Sequence, residues 1–189
     1  MYCHEGLWWK VDRIWTIRAD GSQNQLIHKR TVNNEIAGHE LWDPDGVTIW
    51  YDLQIPRGQN FYLASYNTDT GARHWYSVQR DAWSIHYNVS PDGKIFCGDG
   101  GDYAQVAKSK DGQWIELFNP SENPIPMGIN RTGSLLSQHL VNMARQDYKL
   151  EPNVHFSPDG TLVIFTSNIL GPSYVFAVEV AKAVPTQTP

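Results

Sequence analysis

Three segments of the chain repeat one pattern, and that repeat limits the fold more than any other feature. They read Gly38-His39-Glu40-Leu41-Trp42-Asp43-Pro44-Asp45-Gly46, then Ile85-His86-Tyr87-Asn88-Val89-Ser90-Pro91-Asp92-Gly93, then Asn153-Val154-His155-Phe156-Ser157-Pro158-Asp159-Gly160. Pro-Asp-Gly is a turn signal: Pro presets φ, Asp hydrogen-bonds nearby backbone, and Gly accepts positive φ. A run rich in β-branched and aromatic residues follows each turn, at Val47 to Tyr51, Lys94 to Cys97 and Thr161 to Thr166. The unit is therefore strand, turn, strand. His39, His86 and Asn153 each stand five residues before the turn proline. Equivalent units would present these three side chains from neighbouring strands in one direction.

Polar turns continue between the repeats. Asp20-Gly21-Ser22 follows Arg13 to Arg18, Thr68-Asp69-Thr70-Gly71 separates Phe61 to Tyr66 from His74 to Val78, and Asp111-Gly112 precedes Trp114 to Phe118. A last strand-like run covers Ser173 to Val180. Short strands with regular polar turns predict an all-β protein. The turn prolines lie 47 and 67 residues apart. The first interval suits a four-stranded β-propeller blade, which takes about 40–50 residues. The second suits a blade with an insertion, placed at 119–150. Within it, Ser134 to Ala144 has apolar residues near helical spacing and predicts a short helix. The expected division is one partial propeller over 1–189, with blades near 8–55, 56–100 and 101–180. Three to four blades do not close a ring, since propellers use about 4–8. Missing blades of the same parent chain, or self-association, would complete it.

Bulk composition removes several classes of function. The 189 residues can bury a sizeable core, and 41% of them are hydrophobic. A net charge of −5 with scattered signs excludes the basic face that a nucleic-acid partner requires. No apolar stretch approaches the roughly 18 residues of a membrane span. Cys3 and Cys97 lack metal-site spacing and read as free thiols, which fits a reducing compartment. The first residues lack the form of a signal peptide, so a cytoplasmic location is expected, or a periplasmic one if a parent chain carries a leader. The eight Trp and nine Tyr serve strand packing or a sugar-stacking platform.

The candidate inner strands place His39 with Leu41, Ser84 with His86 and Asn88, and Glu151 with Asn153 and His155 on shared faces. Polar groups gathered there must be wet, paired or metal-bound. Imidazole, carboxylate and amide donors suit divalent cations to different degrees. Hydrogen bonding among themselves and to channel water is the other reading.

Cys3-His4-Glu5-Gly6-Leu7-Trp8, Val11-Asp12-Arg13-Ile14-Trp15 and Gly38-His39-Glu40-Leu41-Trp42 together resemble the oligogalacturonate lyase family, pectate-degrading enzymes with a seven-bladed β-propeller and a manganese-type site. The resemblance covers nearly the whole chain and corresponds to the C-terminal half of a family member. It implies that His39 is the catalytic base, Arg13 its helper and His86 a metal ligand. Further ligands in typical members come from a Gln-x-x-His-x-His stretch; here Tyr148, Glu151 and Asn153 stand at those positions, and Glu151 and Asn153 are the expected ligands. His4 and Arg57 are candidate contacts for substrate carboxylates. The implied chemistry is metal-assisted β-elimination on an oligogalacturonide, with Mn²⁺ as the expected cation, leaving a 4,5-unsaturated product. The alternative is a non-catalytic propeller module that binds a sugar or a protein.

Overall fold

Fifteen short strands account for most of the fold, which is seen here in a computed structural model describing residues 1–105, 107, 113–122 and 133–185. The first sheet contains β1 (Tyr2–Cys3), β2 (Ile14–Thr16) and β3 (Gln25–Leu26), in that order. Next comes an antiparallel meander of β4 (Ile36–Trp42), β5 (Thr48–Gln54), β6 (Phe61–Asn67) and β7 (Arg73–Val78). A second meander follows: β8 (Tyr87–Val89), β9 (Phe96–Gly98), β10 (Trp114–Ser121) and β11 (Gly133–Asn142). The outer strands of the two meanders pair in parallel, with Tyr76 opposite Gly133 and Val78 opposite Leu135. The last sheet is β12 (His155–Phe156), β13 (Leu162–Ser167) and β14 (Tyr174–Glu179). A 3₁₀ turn at Val180–Lys182 then leads to β15 (Val184–Pro185), which pairs with β11.

The repeat unit is confirmed at the backbone. Gly46, Gly93 and Gly160 adopt φ of 73°, 72° and 72°, a region open to glycine without steric cost. Asp45, Asp92 and Asp159 each accept a backbone N–H from a residue just beyond the turn, Thr48, Lys94 and Thr161 respectively. In the second and third turns Ser90 and Ser157 also donate to those aspartates at 2.6 Å.

Two expectations are corrected. Residues 134–142 form a strand, not a helix. Gly133, Leu135 and Ser137 are buried in alternation, a period of two that a buried serine disguises in the sequence. Pairing with all of β10 then outweighs the helical spacing of the leucines. The sheet divisions also differ from 8–55, 56–100 and 101–180. Residues 36–78 and 87–142 are each continuous antiparallel meanders, and a break at 55 would fall between the paired strands β5 and β6. The expected insertion at 119–150 includes strand β11, while Asp111-Gly112 and residues 123–132 lie outside the described residues.

Each pair of neighbouring sheets encloses its own core. Ile14 and Ile27 pack with Ile49, Tyr51 and Leu53 between the first sheet and the first meander. Trp50, Leu63, Trp83, Tyr87, Phe96 and Phe118 fill the space between the meanders. Ile85, Cys97, Ile115, Val163 and Phe165 join the second meander to the last sheet. Strand β5 is buried on both faces, as a blade strand must be, and each large apolar side chain so buried contributes about 1.5–3 kcal/mol. This stacking brings the inner strands β4, β8 and β12 side by side in succession, and with them His39, His86 and Asn153.

Candidate active site

His39 lies at a bulge in β4, where the register with β5 shifts between Gly38 and Leu41. Its φ of 47° is a left-handed conformation that a histidine rarely adopts, so surrounding packing must hold it there. Part of that packing is Trp8, which lies over Gly38 so closely that a Cβ on Gly38 would come within 2.6 Å of the indole. Trp8 sits 5.0 Å from the His39 ring on one side and 4.0 Å from the Arg13 guanidinium carbon on the other. The row Arg13, Trp8, His39 continues to His86, whose ring meets that of His39 edge-on at 4.8 Å.

Buried carboxylates stand behind both imidazoles. Nδ1 of His39 lies 3.4 Å from Oδ1 of Asp52, a residue with no exposed surface. Asp99, equally buried, takes both the backbone N–H of His86 at 2.8 Å and the Nδ1–H of its ring at 2.7 Å. Burial disfavours a charged His39, but Asp52, Asp99 and Glu151 outweigh it and raise its pKa above the ordinary histidine value. Tyr148, itself buried, donates its hydroxyl to the Asp99 carbonyl at 2.8 Å, which supports this second pair from below.

The expected ligand set is partly assembled. Nε2 of His86 lies 3.8 Å from Oε2 of Glu151. Asn153 joins the same cluster through its backbone N–H, which donates to Asp99 at 3.1 Å, while its side-chain amide donates to the Glu151 carbonyl at 2.9 Å. His86, Glu151 and Asn153 lie just before strands β8 and β12, not within them. Among the described residues no three His, Cys, Asp or Glu side chains form a ready cation cage. The His86–Glu151 pair nonetheless fits one: with Nδ1–H committed to Asp99, a neutral His86 turns the lone pair of Nε2 toward a carboxylate oxygen, and two electron donors facing each other suit a cation between them.

Arg13 is 6% exposed and stacked on Trp8, and its Nη1 lies 3.5 Å from the carboxylate of the exposed Glu5. Its Nε and Nη1 are shielded from solvent and make no hydrogen bond among the described residues, and the carboxylate beside the guanidinium is that of Glu5. Asp12, the neighbour with which it could have paired, is taken by Arg30. His4 is exposed at the end of β1, its backbone bonded to Arg13. Arg57 is exposed and lies 5.4 Å over Trp9. Neither touches the His39–His86 pair in any described contact. The residues that sequence reasoning overlooked are Trp8, Asp52 and Asp99. A signal for the aspartates was present: thirteen residues separate His39 from Asp52, as they separate His86 from Asp99, while Thr166 occupies the matching place in the third repeat.

The sheets and this centre define a partial β-propeller whose inner strands converge on paired histidines and carboxylates. The chain matches the family described as oligogalacturonate lyase over residues 1–184, and it belongs to that family. It is 28% identical over 190 residues to an oligogalacturonide lyase of Pectobacterium atrosepticum and 26% identical to an oligogalacturonate lyase of Dickeya dadantii. Each match covers 97% of this chain and 47% of the relative, so the chain spans about half the length of those proteins. Among solved structures it is similar to an oligogalacturonate lyase in complex with manganese (TM-score 0.71) and to an oligogalacturonate lyase from Vibrio parahaemolyticus (TM-score 0.72). Both are 24% identical and aligned over 94% of this chain and 44% of theirs. TolB from Acinetobacter baumannii shares the fold at TM-score 0.59 and 17% identity, over 90% of this chain and 36% of that one.

Proposed function

We propose that this chain carries the catalytic centre of an oligogalacturonate lyase, cleaving oligogalacturonides by β-elimination. The observation behind the reading is the row of Arg13, Trp8, His39 and His86, each imidazole backed by a buried aspartate, in a chain of this family. The proton on C5 of a uronate lies α to a carboxylate and is only weakly acidic. His39 removes it as general base, the electron pair left on C5 forms the C4–C5 double bond as the C4–O bond breaks, and the oxygen departs on the neighbouring sugar and takes up a proton from water. Arg13, whose guanidinium now faces the exposed Glu5, would take a substrate carboxylate in exchange for that partner. His4 and Arg57 serve sugar carboxylates further from the bond that breaks.

His86 and Glu151, with Asn153 beside them, would hold a divalent cation, and Mn²⁺ is our choice because a solved relative binds manganese. When bound, such a cation stabilises negative charge on the uronate carboxylate as a Lewis acid. Completion of the propeller falls to further blades of the same parent chain or to a second copy, and the two free thiols Cys3 and Cys97 accord with a cytoplasmic setting.

The test is product analysis. Incubated with trigalacturonate and Mn²⁺, the intact protein should release a product lighter by one water than the hydrolytic one, and chelation should stop its formation. Binding without any cleavage would favour the non-catalytic module, and hydrolytic products would contradict β-elimination.

A further inference from the structure

Asp52 is held in an unfavourable place. It is fully buried on β5, and neither carboxylate oxygen accepts a hydrogen bond among the described residues. An isolated buried carboxylate of this kind destabilises a fold by several kcal/mol unless something compensates. Among the described residues its ion-pair partner is His39, whose Nδ1 is 3.4 Å from Oδ1 and is itself shielded from solvent and unbonded, and the charge of Asp52 also reaches the buried Tyr87 hydroxyl. The His39 side chain is 19% exposed, so the part of the ring open to a ligand lies away from Nδ1.

The second repeat shows the same arrangement drawn tight. Asp99 stands at the same offset from His86 and holds its Nδ1 at 2.7 Å. Two neighbouring repeats thus place an aspartate behind a histidine at equivalent positions, on the strand that follows the turn for Asp52 and just past its end for Asp99. In the first repeat His39 has a left-handed backbone and the contact is longer, at 3.4 Å.

We propose that Asp52 is the positioning residue of the base, and that it fixes His39 with Nδ1–H directed into the core and Nε2 left as the proton acceptor. This deepens the lyase reading and rests on His39 being the base. Asp52 touches no substrate. It acts by selecting the tautomer and the ring orientation.

Two measurements on the intact protein test the proposal. Asp52→Asn removes the charge while keeping size, and its turnover should fall roughly a hundredfold or more with KM nearly unchanged, as when an aspartate behind a catalytic histidine is neutralised. Thermal melts should show Asp52→Asn still folded at the assay temperature, so that the lost turnover reports positioning of the base and not unfolding. Turnover within about threefold of the parent protein would overturn the proposal. The second measurement does not depend on activity. Ring ¹⁵N shifts of His39, recorded at alkaline pH where the imidazole is neutral, should report protonated Nδ1 in the parent protein and a mixed or inverted tautomer in Asp52→Asn. If Nε2 carries the proton in the parent protein, Asp52 does not position the base. If the parent protein makes no unsaturated product, the lyase reading fails by itself, and the tautomer still decides what Asp52 does.

Discussion

Individual titratable residues in this molecule are placed where burial decides their charge. Glu116 on β10 is 1% exposed, and burial together with the nearby charge of Asp81 pushes its pKa up to about 9. His139 on β11 lies 3.4 Å from it and stacks on Trp114 at 4.0 Å, and burial lowers its pKa below the usual histidine value. Although the two sit at ion-pair distance, burial favours the neutral form of each, so the contact is a neutral one. An unfolded glutamate loses its proton near 4.5, whereas folded Glu116 keeps it to about 9. Over that interval the folded state binds more protons, and stability therefore declines as pH rises, by at most about 1.4 kcal/mol per pH unit. The opposite shift of His139 acts below its ordinary value of 6.5, while the raised pKa of His39 adds a decline of the same sign above it, which is common to both proteins when Glu116→Gln is compared with the parent. Thermal melts between about pH 7 and 9 should show a falling midpoint for the parent protein and a flatter profile for Glu116→Gln. Parallel profiles would mean that Glu116 is ionised in the folded protein.

Elements are held together here by close approaches as much as by hydrogen bonds. Gly98 at the end of β9 faces Ser84 and Phe118, and a Cβ there would lie 2.4 Å from the serine hydroxyl and 2.9 Å from the phenyl ring. Both neighbours are fully buried, so neither can yield cheaply. Gly98→Ala should cost about 1–3 kcal/mol in chemical denaturation, as overpacked cores do; no loss would show that the β8–β9 corner is looser than it looks. The strands themselves were legible in the sequence wherever a Pro-Asp-Gly turn or a β-branched run marked them, because those signals act over a few residues. Strand β11 was not, since Leu135, Leu136 and Leu140 satisfy a helical period, and only pairing with distant β10 makes the strand. The site was legible in the same uneven way. His39 and His86 stood out by repeat position and Arg13 by its motif. Asp52 and Asp99 each stood thirteen residues from their histidines, and only the folded meanders turn that spacing into contact. The partial assembly of Glu151 with His86 depends on loop conformation before β12, which no periodicity encodes.

At the scale of the whole molecule, β14 is an open edge. Among the described residues it pairs with β13 alone, and Tyr174 and Val175 are 52% and 73% exposed along it. Unpaired strands with apolar side chains invite further strands. The chain by itself should therefore associate with a concentration dependence visible in sedimentation, and Val175→Lys on that edge should weaken the association. A monodisperse monomer at high concentration would show these blades to be self-sufficient. The central claim concerns chemistry, and its most direct test follows the double bond that β-elimination creates. Ultraviolet absorbance of the unsaturated uronide should rise when the intact protein meets oligogalacturonate and Mn²⁺. With His39→Ala it should stay flat, while bound metal, measured separately, is unchanged. An undiminished rise with His39→Ala would contradict the assignment of the base, and loss of the metal together with activity would make His39 a ligand instead.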